Sequence, residues 1–174
     1  MDEGLALVTE GTQLEAVRDI TDVGIRLTAT VPAAWSEIDV EGAVLVVGGR
    51  LEDNDQTLVP SVQVRVQLAD DAGSAAAAVT GVRDLLREAV VLFERSGEGP
   101  AGFPETVAEI AHRSDVTNAT QISMFRTIYL PDPRSAISIV ATCGGGASEA
   151  ARDALRGVVT SVSVSPIPES APLE

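Results

Sequence analysis

With 174 residues and 45% apolar content, the chain has enough material for one domain with a buried core, and it is too apolar to be disordered. Twelve basic residues stand against 26 acidic ones, a net charge of −14, and all twelve are arginine. Such a field repels nucleic-acid phosphates and anionic lipid surfaces, and the lack of lysine removes Schiff-base and P-loop lysine chemistry. The lone Cys143 excludes an internal disulfide and, with a single histidine, the usual zinc cluster.

Aromatics are only 3% of the chain, so the core must be built from Val, Ala, Leu and Ile in close contact. The Ala/Val/Gly/Arg bias matches GC-rich coding of the actinobacterial kind. The first twenty residues are acidic and lack a long apolar core, no lipobox cysteine is present, and no apolar run approaches membrane-spanning length. The expectation is a cytoplasmic protein, or one of the cell envelope if a leader has been removed.

In chain order, Thr12-Gln13-Leu14-Glu15 matches a capping box and predicts a short helix over about 13–20, within an N-terminal arm spanning 1–22. From Gly24 to Val31 apolar and polar residues alternate, as in a half-buried strand ended by Pro32, with Trp35 in the following turn. Gly42–Gly48 is a continuous apolar run that suits a strand covered on both faces. Residues 51–57 form an acidic loop. Ser61–Leu68 alternates again, with Val62, Val64, Val66 and Leu68 expected inward.

Asp70 to Ser74 offers N-caps, and Val79, Val82, Leu85, Leu86, Ala89, Val90 and Phe93 continue a stripe that predicts one long helix to about Glu94. A Gly/Pro loop (96–104) and a strand over Glu105–Arg113 follow. Thr120–Leu130 and Ser135–Cys143 are β-rich runs flanking the turn Pro131-Asp132-Pro133-Arg134. Gly144–Gly146 then leads to Ser148, which can cap a helix whose stripe is Ala151, Ala154, Leu155, Val158, Val159 and Val162. Residues 165–174 are proline-rich and read as a frayed tail.

The order is three strands, helix, three strands, helix, with a possible short helix in front. It predicts one α+β domain over 23–164, a mainly antiparallel six-stranded sheet packed with two long helices. Ile25–Pro32 followed by Trp35, the run Val59-Pro60-Ser61-Val62-Gln63-Val64 before the long helix, and the closing helix ending Val158-Val159-Thr160-Ser161-Val162 resemble the Mog1/PsbP-like fold, and more narrowly the actinobacterial LpqN/LpqT lipoprotein group. The resemblance spans about Val23 to Val164 and is carried by packing and turn residues. It implies a non-enzymatic accessory or partner-binding module. That group carries a secretion leader and a lipid-attachment cysteine, which are not seen here.

Catalytic signatures are weak. The glycine turn at 144–146 lacks the Lys-Ser/Thr of a phosphate loop, and Glu149 in the first helical turn would repel phosphate. His112 and Cys143 are the one conceivable nucleophile pair, but each shares a strand face with apolar residues, which suits a core imidazole and an inert thiol. The acidic loops at 52–55 and 70–71 lack calcium-loop spacing, and Asn118-Ala119-Thr120 matches a glycosylation sequon but reads as a turn. No cofactor and no metal are expected.

Interface-type residues are the better signal: Trp35, Arg65, Phe125, Arg126 and Tyr129 are the candidate binding residues. Core plugging, or for Arg126 a sheet-face ion pair, is the competing role. The expected partner is a protein, with no nucleic acid and no membrane insertion, and a homodimer is possible. Two alternatives differ in class. One is a carrier with an apolar cavity lined by Val64, Val66, Leu86 and Val90. The other is an acidic secretion-chaperone-like protein, which needs a packed helix at Thr12.

Overall fold

The computed structural model describes residues 6–10, 13–49 and 59–167. Two antiparallel sheets, two α-helices and a single 3-10 turn (Thr21–Val23) make up the regular structure of the described residues. The smaller sheet has the order β1-β2-β3-β11: β1 (Ala6–Glu10), β2 (Gln13–Ile20), β3 (Ile25–Pro32) and β11 (Ser163–Pro166). The larger has the order β4-β5-β6-β10-β9-β8-β7: β4 (Ser36–Glu37), β5 (Leu45–Gly48), β6 (Ser61–Leu68), β7 (Arg87–Glu98), β8 (Pro104–Arg113), β9 (Thr120–Pro131) and β10 (Arg134–Gly144). Helices α1 (Ala72–Leu85) and α2 (Glu149–Ser161) follow β6 and β10.

The α+β class and the antiparallel pairing agree with the expectation; the single six-stranded sheet and the two long helices do not. Segment 13–20 is a strand, not a helix. Its alternation buries Ala16 and half-buries Leu14, and it pairs β1 on one side and β3 on the other. Thr12, on which the capping box depended, lies outside the described residues, as do the acidic loop 51–57 and residues 168–174. Residues 165 and 166 belong to β11, so that part of the expected tail is paired with β3.

The long helix is the other correction. α1 has 14 residues and ends at Leu85, because Leu86 turns to extended backbone and its N–H bonds only to the Arg83 carbonyl. From Arg87 the chain is strand β7, running back along β8 through a hairpin whose turn begins at Gly99. Leu86, Ala89, Val90 and Phe93 fit a helical stripe by spacing. The run from Ala89 to Phe93 is also dense in β-branched and aromatic side chains, and the antiparallel ladder to β8 takes it.

Register sorts the large sheet into two faces. Ile137, Ile139, Ala141 and Cys143 of β10 stand beside Ile128, Met124 and Ile122 of β9. They pack with Leu155, Val158 and Val159 of α2 and with Leu27, Ala29 and Val31 of β3 in one core. On the opposite face α1 covers a smaller cluster, Val79 with Ala108, Ile110 and Phe125, beside a patch of Ala69, Ala75 and Ala136. Alanines on α1 let it lie close to the sheet. Leu68, expected inward, is 91% exposed, at the end of β6 beyond the cover of α2.

The caps hold. Ser148 accepts from the Ala151 N–H at 3.1 Å, and Asp71 accepts from the Ser74 N–H at 2.6 Å. That bond lowers the Asp71 pKa below the ordinary aspartate value. Gly49 is set by close approach: a Cβ there would lie 2.7 Å from the Trp35 ring, so the indole can be buried only against a glycine.

Candidate contact surface

The five predicted binding residues divide sharply. Trp35 and Phe125 are buried in the main core and under α1 respectively. Tyr129 is half-buried at the start of α1, its hydroxyl donating to the Asp70 carbonyl at 3.2 Å. Only Arg65 is exposed. The exposed Phe125/Tyr129 face that a partner would need is therefore covered, because the residues alternating with the α2 core on β9 lie under α1.

Arg126 is buried and takes the role of the competing ion pair, with an addition no spacing rule shows. Its Nε and Nη2 bond the Glu105 carboxylate at 3.0 and 2.9 Å. Its Nη1 donates to the carbonyls of Val162 at 2.7 Å and of Val159 and Thr160 at 3.2 Å. These are orphan carbonyls at the C-terminal end of α2, where a cation is favoured. One guanidinium ties α2 to β8 and β9.

Beside it, Arg156 of α2 grips Glu109 of β8 with two 3.0 Å bonds, and that pairing raises an already high guanidinium pKa. Arg95 of β7 reaches the other oxygen of Glu105 at 3.2 Å. These residues, with Phe93, Val107, Met124 and Val159, line a groove of about 470 Å³ where α2 stops short of the β7–β8 end of the sheet.

His112 and Cys143 are not a pair. His112 lies on the α1 face, its Nε2 2.9 Å from the Ser123 hydroxyl, which is 3.1 Å from that of Thr142. Cys143 lies on the α2 face, and burial pushes its thiol pKa up. The sheet separates them. The proposed carrier cavity fails for the same reason: Val64 and Val66 pack in the α2 core, whereas Leu86 packs under α1. Among the described residues no cluster of three or more His, Cys, Asp or Glu could hold a metal ion, and no helix is long and apolar enough to cross a membrane.

The surface that sequence reasoning missed is β7. It is the outermost strand on its side of the large sheet, and Val90, Leu92 and Phe93 are 59, 50 and 49% exposed. Leu85 and Val82 of α1 add exposed apolar surface nearby in sequence. Assignment of this segment to a helix hid the signal, an apolar run bracketed by Arg-Glu and Glu-Arg.

Two sheets, a helix on each face of the larger one and this strand order define the Mog1/PsbP-like fold. The crystal structure of LpqN of Mycobacterium tuberculosis, involved in cell envelope biogenesis, matches with a TM-score of 0.68 at 13% identity over 90% of this chain and 93% of that one. The Ran-binding protein Mog1p of Saccharomyces cerevisiae matches at 0.60 and 12% identity over 88% and 96% of the two chains. Cyanobacterial PsbP from Synechocystis sp. PCC 6803 matches at 0.57 and 14% identity over 94% and 99%. No protein-family model matches the chain, and no curated protein does.

Proposed function

We infer that the protein is a non-catalytic accessory module acting through a protein partner, and that it meets this partner at the β7 end of the large sheet. The observation that carries this is the exposed run Val90, Leu92 and Phe93 on an edge strand, next to a groove, where most other large apolar side chains among the described residues lie inside. Structures of the same fold include a Ran-binding protein and a protein of envelope biogenesis, which supports a role through partners. The test is site-specific photo-crosslinking in cells of the source organism. A benzoylphenylalanine in place of Phe93 should give a discrete adduct that the same probe in place of the remote, exposed Val116 does not. Equal labelling from both sites, or none from position 93, rejects the surface.

A second use of the same end has one observation in its favour. The groove of about 470 Å³ has apolar walls at Phe93, Val107, Met124 and Val159, enough for a small apolar ligand. Displacement of an environment-sensitive dye, lost in Met124→Arg, is the measurement that separates this carrier role from protein contact.

A further inference from the structure

Strand β7 has two unlike halves. Its pairing with β8 slips between Arg87 and Val90 and again between Val91 and Phe93, whereas from Phe93 to Glu98 the ladder to β8 is regular. Along that regular half Phe93, Arg95 and Gly97 stand on the groove face, opposite Glu109, Val107 and Glu105. Glu94, Ser96 and Glu98 stand on the α1 face, where Glu94 meets Arg83 only at 3.8 Å. One side of the strand is therefore an acidic stripe with carboxylates four residues apart; the other carries Phe93, Arg95 (paired to Glu105) and Gly97 and leads into the groove. All six residues are exposed, and the outer backbone edge has no strand beside it among the described residues.

An unpaired regular edge is a template for another extended chain. Charge decides which. A second copy related by a two-fold axis would pair β7 with itself antiparallel. Centring that pair on Glu94 sets Glu94 against its own copy, and centring it on Arg95 does the same to Arg95. Centring it on Ser96 sets Glu94 against Glu98. Directly opposed like charges are destabilising, and a register centred further out leaves the regular ladder within a few residues on one side. The net charge of −14 opposes self-association as well.

We propose that residues 93–98 of β7 receive an extended basic segment of a partner protein as an added strand, with lysine or arginine at i and i+4 over Glu94 and Glu98 and apolar side chains on the groove face. The overall negative field steers such a segment in, the backbone ladder holds it, and the alternating faces set its register. This rests on the partner-binding role inferred above and gives the partner's chemistry.

The test uses the full chain and three labelled heptapeptides: Val-Lys-Val-Thr-Val-Lys-Val, its counterpart with both lysines replaced by glutamate, and its counterpart with the central threonine replaced by proline. Fluorescence anisotropy should show the lysine peptide binding roughly tenfold more tightly than the glutamate one. Amide exchange over residues 93–98 should slow when it binds. The proline peptide, which cannot continue a ladder, should lose both effects. Glu94→Lys combined with Glu98→Lys should reverse the charge preference. Failure of the lysine peptide to bind, binding without protection of 93–98, equal binding of the proline peptide, or a peptide-free dimer with those amides protected would each overturn the proposal. A discrete crosslink from position 93 alongside any of these failures would leave the partner role standing and remove only the added strand.

Discussion

The middle of the large sheet and its β7 end, on the α2 side, are built from the same residue types and finished in opposite ways. Over β10 and β9, α2 and β3 close a core in which Ile137, Ile139 and Leu155 have no exposed surface. Two strands beyond β9, at the sheet's edge, β7 leaves Val90, Leu92 and Phe93 in the open. The boundary is drawn by Arg126 and Arg156, which fasten α2 to Glu105 and Glu109 of β8 and so stop its cover there. Apolar content alone does not tell a core from a contact surface; what decides is where the covering helix is fastened.

Breaking the fastened side should have the largest effect. Arg126→Ala leaves Glu105 buried without its main partner and the α2 carbonyls open, and should lower unfolding free energy by about 3–5 kcal/mol in urea titration. Leu155→Ala, a cavity in the same core, should cost about 2–5 kcal/mol. Removing the helix cap with Ser148→Ala should cost about 1 kcal/mol. Phe93→Ser, at the open end, should stay within about 0.5 kcal/mol of the parent while abolishing the partner adduct from a benzoylphenylalanine in place of the neighbouring, exposed Leu92. A large loss of stability from Phe93→Ser would erase the distinction between the two regions.

The smallest effect is electrostatic. Asp19, held by two bonds from Arg26, and Asp71, held by the Ser74 N–H, both have carboxyl pKa values below the ordinary aspartate value of 3.8. A depressed folded-state pKa stabilises fully above the unfolded value and is lost as pH falls through the folded one. Stability should therefore decline as pH drops below about 4. Asp71→Asn should flatten part of that slope in acid titrations of the urea midpoint.

Much of this was legible in the residues. Ile25 to Pro32 and Ser61 to Leu68 announced themselves by period-two alternation, the strands from Thr120 to Cys143 by β-rich runs around a turn, and Ser148 announced α2. The α1/β7 boundary did not, since Leu86, Ala89, Val90 and Phe93 satisfy a helical period as well as a strand's composition, and only pairing with β8 breaks the tie. At Gln13–Ile20 a local capping pattern competed with alternation, and two flanking strands decided it. For the site, the oddity of Arg126 on an apolar face was visible. Its acceptors were not, because Val159, Thr160 and Val162 are more than 30 residues away in sequence. The contact surface was hidden by the same misassigned segment.

The smaller sheet carries a consequence for the order of assembly. β3 acquires its second neighbour only from β11, and the side chains of Thr28 and Ser163, 135 residues apart, meet at 2.6 Å. Closing so long a loop is slow compared with zipping the β7–β8 and β9–β10 hairpins. On the ribosome, then, the hairpins can form early, while β3 presents a bare flank until Pro166 has emerged. A pause in translation before that point would leave the nascent chain open to wrong pairings along β3.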